Sequence, residues 1–190
     1  MAQIIETATF DALVVRGCRG GKFENVETPT LLAHSCHAPF GVELDSQFAP
    51  LPIFAGGSDP RKHLTVQLEL SEVAAQALRR LDQACEAGSA LAGTWSPMVS
   101  LREGRHFVKA RIVLEGDRAT SFRVEEGELQ SGWEALGPLL LLHRNLRGAQ
   151  IKAALHPQYI WAVNGRRGVT LVLQQMVVAP TKQTTLDHFR

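Results

Sequence analysis

The stretch from Tyr159 to Val178, YIWAVNGRRGVTLVLQQMVV, constrains the fold of this chain more than any other. Asn164 and Gly165 sit between two runs rich in β-branched and aromatic residues, Tyr159 to Val163 and Gly168 to Val178. Both turn residues tolerate a positive φ, so the stretch is expected to form a tight antiparallel hairpin.

The remainder of the chain repeats the same period-two signal. Thr7 to Arg16 alternates with Phe10, Ala12 and Val14 on one face and ends at the glycine-rich turn Gly17 to Gly21. Short extended pieces are expected at Thr30 to His34 and Phe40 to Leu44, and a long loop at Asp45 to Lys62, which carries Pro50, Pro52, Gly56, Gly57 and Pro60. Leu64 to Leu70 is the cleanest strand, with Leu64, Val66, Leu68 and Leu70 inward and Thr65, Gln67 and Glu69 outward. His106 to Leu114, Thr120 to Val124 and Ala149 to Leu155 read as strands as well. One helix interrupts them: Ser71 is placed to cap it, Glu72 complements its dipole, and Ala74, Ala77, Leu78, Leu81 and Cys85 recur at helical spacing up to Gly88. Strands on both sides of one amphipathic helix, without βαβ alternation, point to a mainly β chain closed into a small barrel.

At 190 residues with 45% hydrophobic and 21% charged positions, the chain is long enough for one domain with a real core. The expected division is a barrel domain over residues 1–179 and a flexible C-terminal tail over residues 180–190. The apolar stretch Leu136 to Leu142 is broken by Gly137 and Pro138, so no membrane span and no membrane partner is expected. The N-terminus has no basic region and carries Glu6 and Asp11, which argues against a secretory signal and for an intracellular protein. Cys18, Cys36 and Cys85 are an odd set without CxxC spacing, which speaks against both a disulfide framework and a zinc ribbon.

Net charge is only +1, but its distribution is uneven. Leu140 to Pro180 contains Arg144, Arg147, Lys152, Arg166 and Arg167 and no acidic residue, whereas Glu115 to Glu134 is strongly acidic. One basic and one acidic surface are expected. In the strand His106 to Leu114, Val108, Ala110, Ile112 and Leu114 form the apolar face, which turns Phe107, Lys109 and Arg111 the other way. An outward aromatic beside two cations offers a face for base stacking and charges for phosphates, as a single-stranded nucleic-acid groove requires. Tyr159 and Trp161 share a face near Arg166 and Arg167 and repeat the combination. Each of these rings would serve equally as core or cross-strand packing; together with the acid-free basic run they favour DNA contact.

Three segments carry a family resemblance: WSPMV at Trp95 to Val99, KARIV at Lys109 to Val113, and above all the Tyr159 to Val178 hairpin. They resemble the phage-type replicative single-stranded-DNA-binding proteins, which have relatives in large nucleocytoplasmic DNA viruses. FENV at Phe23 to Val26 and PFG at Pro39 to Gly41 fit the same pattern, and the resemblance spans about residues 8 to 178. It implies an OB-fold-like Greek-key barrel, contact with single-stranded DNA in replication, recombination or repair, and neither catalysis nor a cofactor. A replicative polymerase and a second copy of the chain are the further partners it implies. The acidic, aromatic-ended tail of the phage-type proteins is missing, so regulation by such a tail is not expected here.

The chain ends instead in QTTLDHFR, Gln183 to Arg190. This resembles the box by which proteins dock on the sliding clamp, PCNA: Leu186 and Phe189 fall on one side of a helical turn and enter an apolar pocket while Gln183 hydrogen-bonds beside it. Arg190 stands where a second aromatic would be. Such a partner places the protein in the nucleus or a viral replication compartment. The alternative is a clamp-associated adaptor whose barrel binds protein rather than DNA. Enzyme readings have little support: there is no P-loop, GxSxG or HExxH. The His34, Cys36, His37 cluster lacks a second set of metal ligands, and in an extended segment His34 and Cys36 would share a face with His37 turned away.

Overall fold

A computed structural model describes residues 14–17, 22–28, 30–43, 63–114, 116–124, 127–128, 130–142 and 146–179. The strand expected from Thr7 is thus described only over Val14–Gly17, and the loop expected over Asp45 to Lys62 lies outside the described residues. Arg144 and the tail residues Gln183, Leu186 and Phe189 lie outside them too.

In chain order the elements are β1 (Val14–Gly17), β2 (Phe23–Glu27), β3 (Leu31–Ala38), β4 (Val42–Glu43), β5 (His63–Leu70), α1 (Glu72–Gly88), β6 (Thr94–Ser96), β7 (Val99–Arg102), β8 (Arg105–Val113), β9 (Ser121–Val124), β10 (Gln130–Ser131), α2 (Trp133–Leu142), β11 (Ala149–Val163) and β12 (Arg166–Val178). Five strands close a ring in the order β3, β5, β8, β12, β11 and back to β3. Within the ring only β8 and β12 run parallel. Counted along the chain this is the order 1-2-3-5-4-1, the arrangement of an OB-fold barrel. Ring closure pairs both sides of each of these strands and leaves no long open edge.

On β5 and β8 the inward residues are those the alternation selects, whereas on β11 and β12 bulges shift its phase and bring Ile160 and Met176 inward out of step with Leu155 and Leu173. Leu64, Val66, Leu68 and Leu70 of β5 and Val108, Ala110 and Ile112 of β8 are buried, as are Ile151, Leu155 and Ile160 of β11 and Leu171, Leu173 and Met176 of β12. Each fully buried leucine or isoleucine contributes about 1.5–3 kcal/mol relative to an exposed one. The helix α1 starts where expected, with the Ser71 hydroxyl accepting from the Ala74 N–H at 3.3 Å. It seats Ala75, Leu78, Leu81 and Cys85 against the barrel, while Ala74 and Ala77 are partly buried at the margin.

Three expectations need correction. The two strands expected at Ala149 to Leu155 and Tyr159 to Val163 are one continuous strand, β11, because Pro157 sits beside a β-bulge, a position where the missing N–H is tolerated. A second helix, α2, occupies the stretch in which Gly137 and Pro138 concealed a helical pattern: Leu136, Leu139 and Leu140 are buried at i, i+3 and i+4 while Pro138 faces solvent. Finally, β3 bulges at His34–Ser35, since Ala33 pairs with Ala153 but Cys36 with Ile151. The bulge turns His34 outward and Cys36 into the core, so the two do not share a face. Burial pushes the Cys36 thiol up to about 12.

Candidate nucleic-acid interface

The hairpin β11–β12 turns at Asn164 (φ 50°) and Gly165 (φ 73°), the two-residue positive-φ turn that its sequence demands. This turn sets the register: Trp161 faces Gly168, Tyr159 faces Thr170, and Val163 faces Arg166. Tyr159 and Trp161 therefore stand on the outer face of the barrel, with Ile160 beneath them in the core. On the far side of β11, β2 pairs Phe23 with Trp161 and Asn25 with Tyr159, which extends that face by one more ring. Phe23 is 44% exposed and meets Tyr159 edge-on, with centroids 5.4 Å apart at 87°. Across β12, Arg111 of β8 shares the same face, and its Nη1 donates to the Tyr159 hydroxyl at 3.1 Å.

Phe23, Tyr159, Trp161 and Arg111 thus form one strip across β2, β11, β12 and β8. Gly168 is a necessary part of it. A Cβ there would lie 3.1 Å from the Trp161 ring and 3.0 Å from the Ser96 carbonyl oxygen, so the indole lies close over bare backbone. Lys109 continues the Arg111 row and is exposed, and Arg166 is exposed beside the turn. Farther along the hairpin Lys152 is exposed and lines two shallow hollows, one shared with His34 and the other with His34 and Arg123. Arg147 is exposed in the turn that leads into β11.

Two of the expected contact residues lie elsewhere. Phe107 does fall on the outer face of β8, but it is only 3% exposed, because the Phe40 ring (6.5 Å between centroids) and the Arg105 guanidinium (5.6 Å) cover it. Its ring is a packing residue rather than an open platform. Arg167 is one residue out of phase with Trp161's partner Gly168 and points to the opposite side of β12. There its guanidinium stacks 5.2 Å from the Trp95 ring and donates to the carbonyl oxygens of Gly93 (3.1 Å) and Ser89 (3.4 Å). Trp95 in turn donates its Nε1–H to Asp82 of α1 at 3.0 Å, and the other Asp82 oxygen accepts from the Met98 N–H at 3.1 Å. Burial raises the Asp82 pKa against these two hydrogen bonds. Arg167 therefore fastens the end of α1 to the barrel.

Phe23 and Asn25 were not among the expected contacts. Their signal was the alternation of β2, in which Phe23 and Asn25 face out while Val26 is buried. The inward Glu24 is held by the Ser89 hydroxyl (2.6 Å) and the Ala90 N–H (3.0 Å). Among the described residues no three His, Cys, Asp or Glu side chains converge as a metal site.

Fold and face together define an OB-type barrel with an outer strip of aromatic and cationic side chains. Solved structures similar to it include a C-terminally truncated single-stranded DNA-binding protein from bacteriophage Enc34, matched over 93% of this chain and 99% of that one with a TM-score of 0.48 and 9% identity. A second is gp2.5, a single-stranded DNA binding protein encoded by bacteriophage T7, matched over 95% and 98% with a TM-score of 0.39 and 12% identity. No family model matches the sequence, nor does any curated protein.

Proposed function

We propose that this protein binds single-stranded DNA without catalysis, and that the strand lies across the outer face of β2, β11, β12 and β8. The observation that carries this reading is the coplacement of Phe23, Tyr159 and Trp161 with Arg111 on one face of a closed barrel. Bases of any identity stack on aromatic faces, and cations in the same row neutralise phosphates. A duplex hides its bases from such a face, so single strands are preferred. Titration with single- and double-stranded oligonucleotides of equal length at several salt concentrations tests the reading. Tighter, salt-sensitive binding of the single strand supports it, and equal affinity for duplex contradicts it.

The finer reading, a replication factor tethered to the sliding clamp, rests on the sequence of Gln183, Leu186 and Phe189. A short peptide buries little surface on a partner, so its affinity should be modest, on the order of micromolar. Leu186→Ala with Phe189→Ala should abolish clamp binding in a calorimetric titration and leave oligo-dT affinity unchanged. Retained clamp binding, or a loss of DNA binding, would assign the tail another role.

A further inference from the structure

Beside the aromatic strip, the outer face of the β11–β12 hairpin opens into a cleft of about 660 Å³. This lies within the range of about 300–1,000 Å³ common for small-molecule sites. One wall is β2 and the chain after it, Asn25 to Thr28; the other is the turn at Asp117 and Arg118; the floor is His156, Gln158, Val172 and Gln174. The cleft adjoins the strip directly, because Asn25 pairs with Tyr159 and Val172 with Arg111.

Two bulges shape the floor. Along β11 the pairing skips from Pro157 to Tyr159, which leaves Gln158 as the extra residue; along β12 it skips from Leu173 to Gln175, which leaves Gln174. Both extra residues line the cleft. Bulges re-aim side chains at the cost of ladder hydrogen bonds, and they concentrate near functional sites. Here each strand of one hairpin uses a bulge to bring a carboxamide to the same hollow. The Gln174 Oε1 already accepts from the Thr30 hydroxyl at 2.8 Å, which fixes the amide and leaves its NH₂ end as the group to offer a ligand.

Two further polar atoms point to an occupant. The Thr28 hydroxyl and the His156 Nδ1 are buried at the lining of the cleft, and neither has a hydrogen-bond partner among the described residues. Buried polar groups in native proteins nearly always have partners, so such orphans mark places where a ligand or water supplies one. The cleft therefore combines carboxamides, a hydroxyl and an imidazole nitrogen, with Arg118 and the carboxylates of Glu27 and Asp117 at its walls. Carboxamides present a donor beside an acceptor, which is the pattern that recognises the edge of a nucleobase.

We propose that the cleft takes one base of the bound strand, reading its edge through Asn25, Gln158 and Gln174, while Arg118 offsets the carboxylates of Glu27 and Asp117 at the walls. The proposal rests on the single-strand-binding reading and adds base preference to a surface that is otherwise indifferent to sequence. It is tested by titrating the protein with homo-oligonucleotides of dA, dC, dG and dT of equal length at one salt concentration. The expected spread between best- and worst-bound base is about tenfold or more, as one good edge contact provides. In Gln158→Ala with Gln174→Ala the spread should shrink to about twofold, with affinity for the worst-bound base retained. Thr28→Val is the second variant: it removes a hydroxyl that has no partner among the described residues, so it leaves melting temperature unchanged or raised and should narrow the spread. A wild-type protein without spread, a spread that survives in both variants, or an equal loss for all four bases would overturn the cleft proposal while leaving the strip intact. Failure of the wild type to bind any single strand would overturn the strip reading itself, and this proposal with it.

Discussion

Among the described residues an arginine meets an aromatic ring at Phe107, Trp95 and Tyr159, and the last two differ in where the remaining surface of each pair goes. At Arg167 and Trp95 the guanidinium donates to the Ser89 and Gly93 carbonyl oxygens and the indole N–H is bound by Asp82, so the pair is closed within the protein. At Arg111 and Tyr159 the described contact is a single hydrogen bond between the two side chains, and the ring belongs to an outer strip that continues to Phe23 and Trp161. An arginine beside an aromatic is thus no signature of nucleic-acid binding on its own. What separates the two is whether the cation's donors and the ring's neighbours point inward or outward.

The largest change is expected at the covered ring. Phe107→Ala should cost about 3–5 kcal/mol of folding stability, as removal of a buried aromatic does, measured by denaturant unfolding. The folded fraction should keep its oligo-dT affinity, and a selective loss of binding would return Phe107 to the interface. On the open side, Trp161→Ala should weaken oligo-dT binding by about 1–3 kcal/mol, the worth of one stacked base, with a smaller change in melting temperature. The two arginines divide likewise. Arg111→Ala should flatten the slope of log affinity against log salt by roughly 0.7, the share of one phosphate neutralised on a single strand. Arg167→Ala should leave that slope alone and instead cost about 1.5–3 kcal/mol of stability for its charged hydrogen bonds. If Arg167→Ala changed the slope and Arg111→Ala did not, the assignment of the two faces would be reversed.

The smallest expected effect concerns His156, whose folded pKa is lowered from 6.5 by burial first and the Arg118 charge second. The unfolded chain then binds the proton more readily than the folded one. Stability is full above pH 6.5 and falls as the pH drops from there toward the lower folded value. His156→Gln should remove that part of the acid dependence in thermal melts across this range, and a melt profile identical to the wild type would show that another group is responsible.

Features fixed by near neighbours in the chain were legible in the sequence. The Asn164-Gly165 turn, the Ser71 cap and the inward leucines of β5 all follow from residues within a few positions of each other. The same turn carries the opposite facing of Trp161 and Arg167, which the sequence reading passed over when it grouped Arg167 with Trp161: two turn residues place Gly168 across from Trp161 and leave Arg167 on the reverse side. Features that depend on distant partners were hidden. Alternation puts Phe107 outward, but only the folded chain brings Phe40 over it. The bulges at His34–Ser35, Gln158 and Gln174 exist only relative to a paired strand, and a period-two pattern read along one strand passes through them unnoticed. The helix α2 was obscured by Pro138, which breaks local propensity but faces solvent while Leu136 and Leu140 supply the burial.

The outer aromatic strip, exposed at Phe23 and half-buried at Tyr159 and Trp161, is proposed to carry the strand in place of the closed pair or the covered ring. Photo-crosslinking of bound oligo-dT followed by mass spectrometry of the peptides tests it without any substitution. Adducts are expected on Phe23, Tyr159 and Trp161. Adducts confined to Phe40, Trp95 or Phe107 under saturating binding would contradict it.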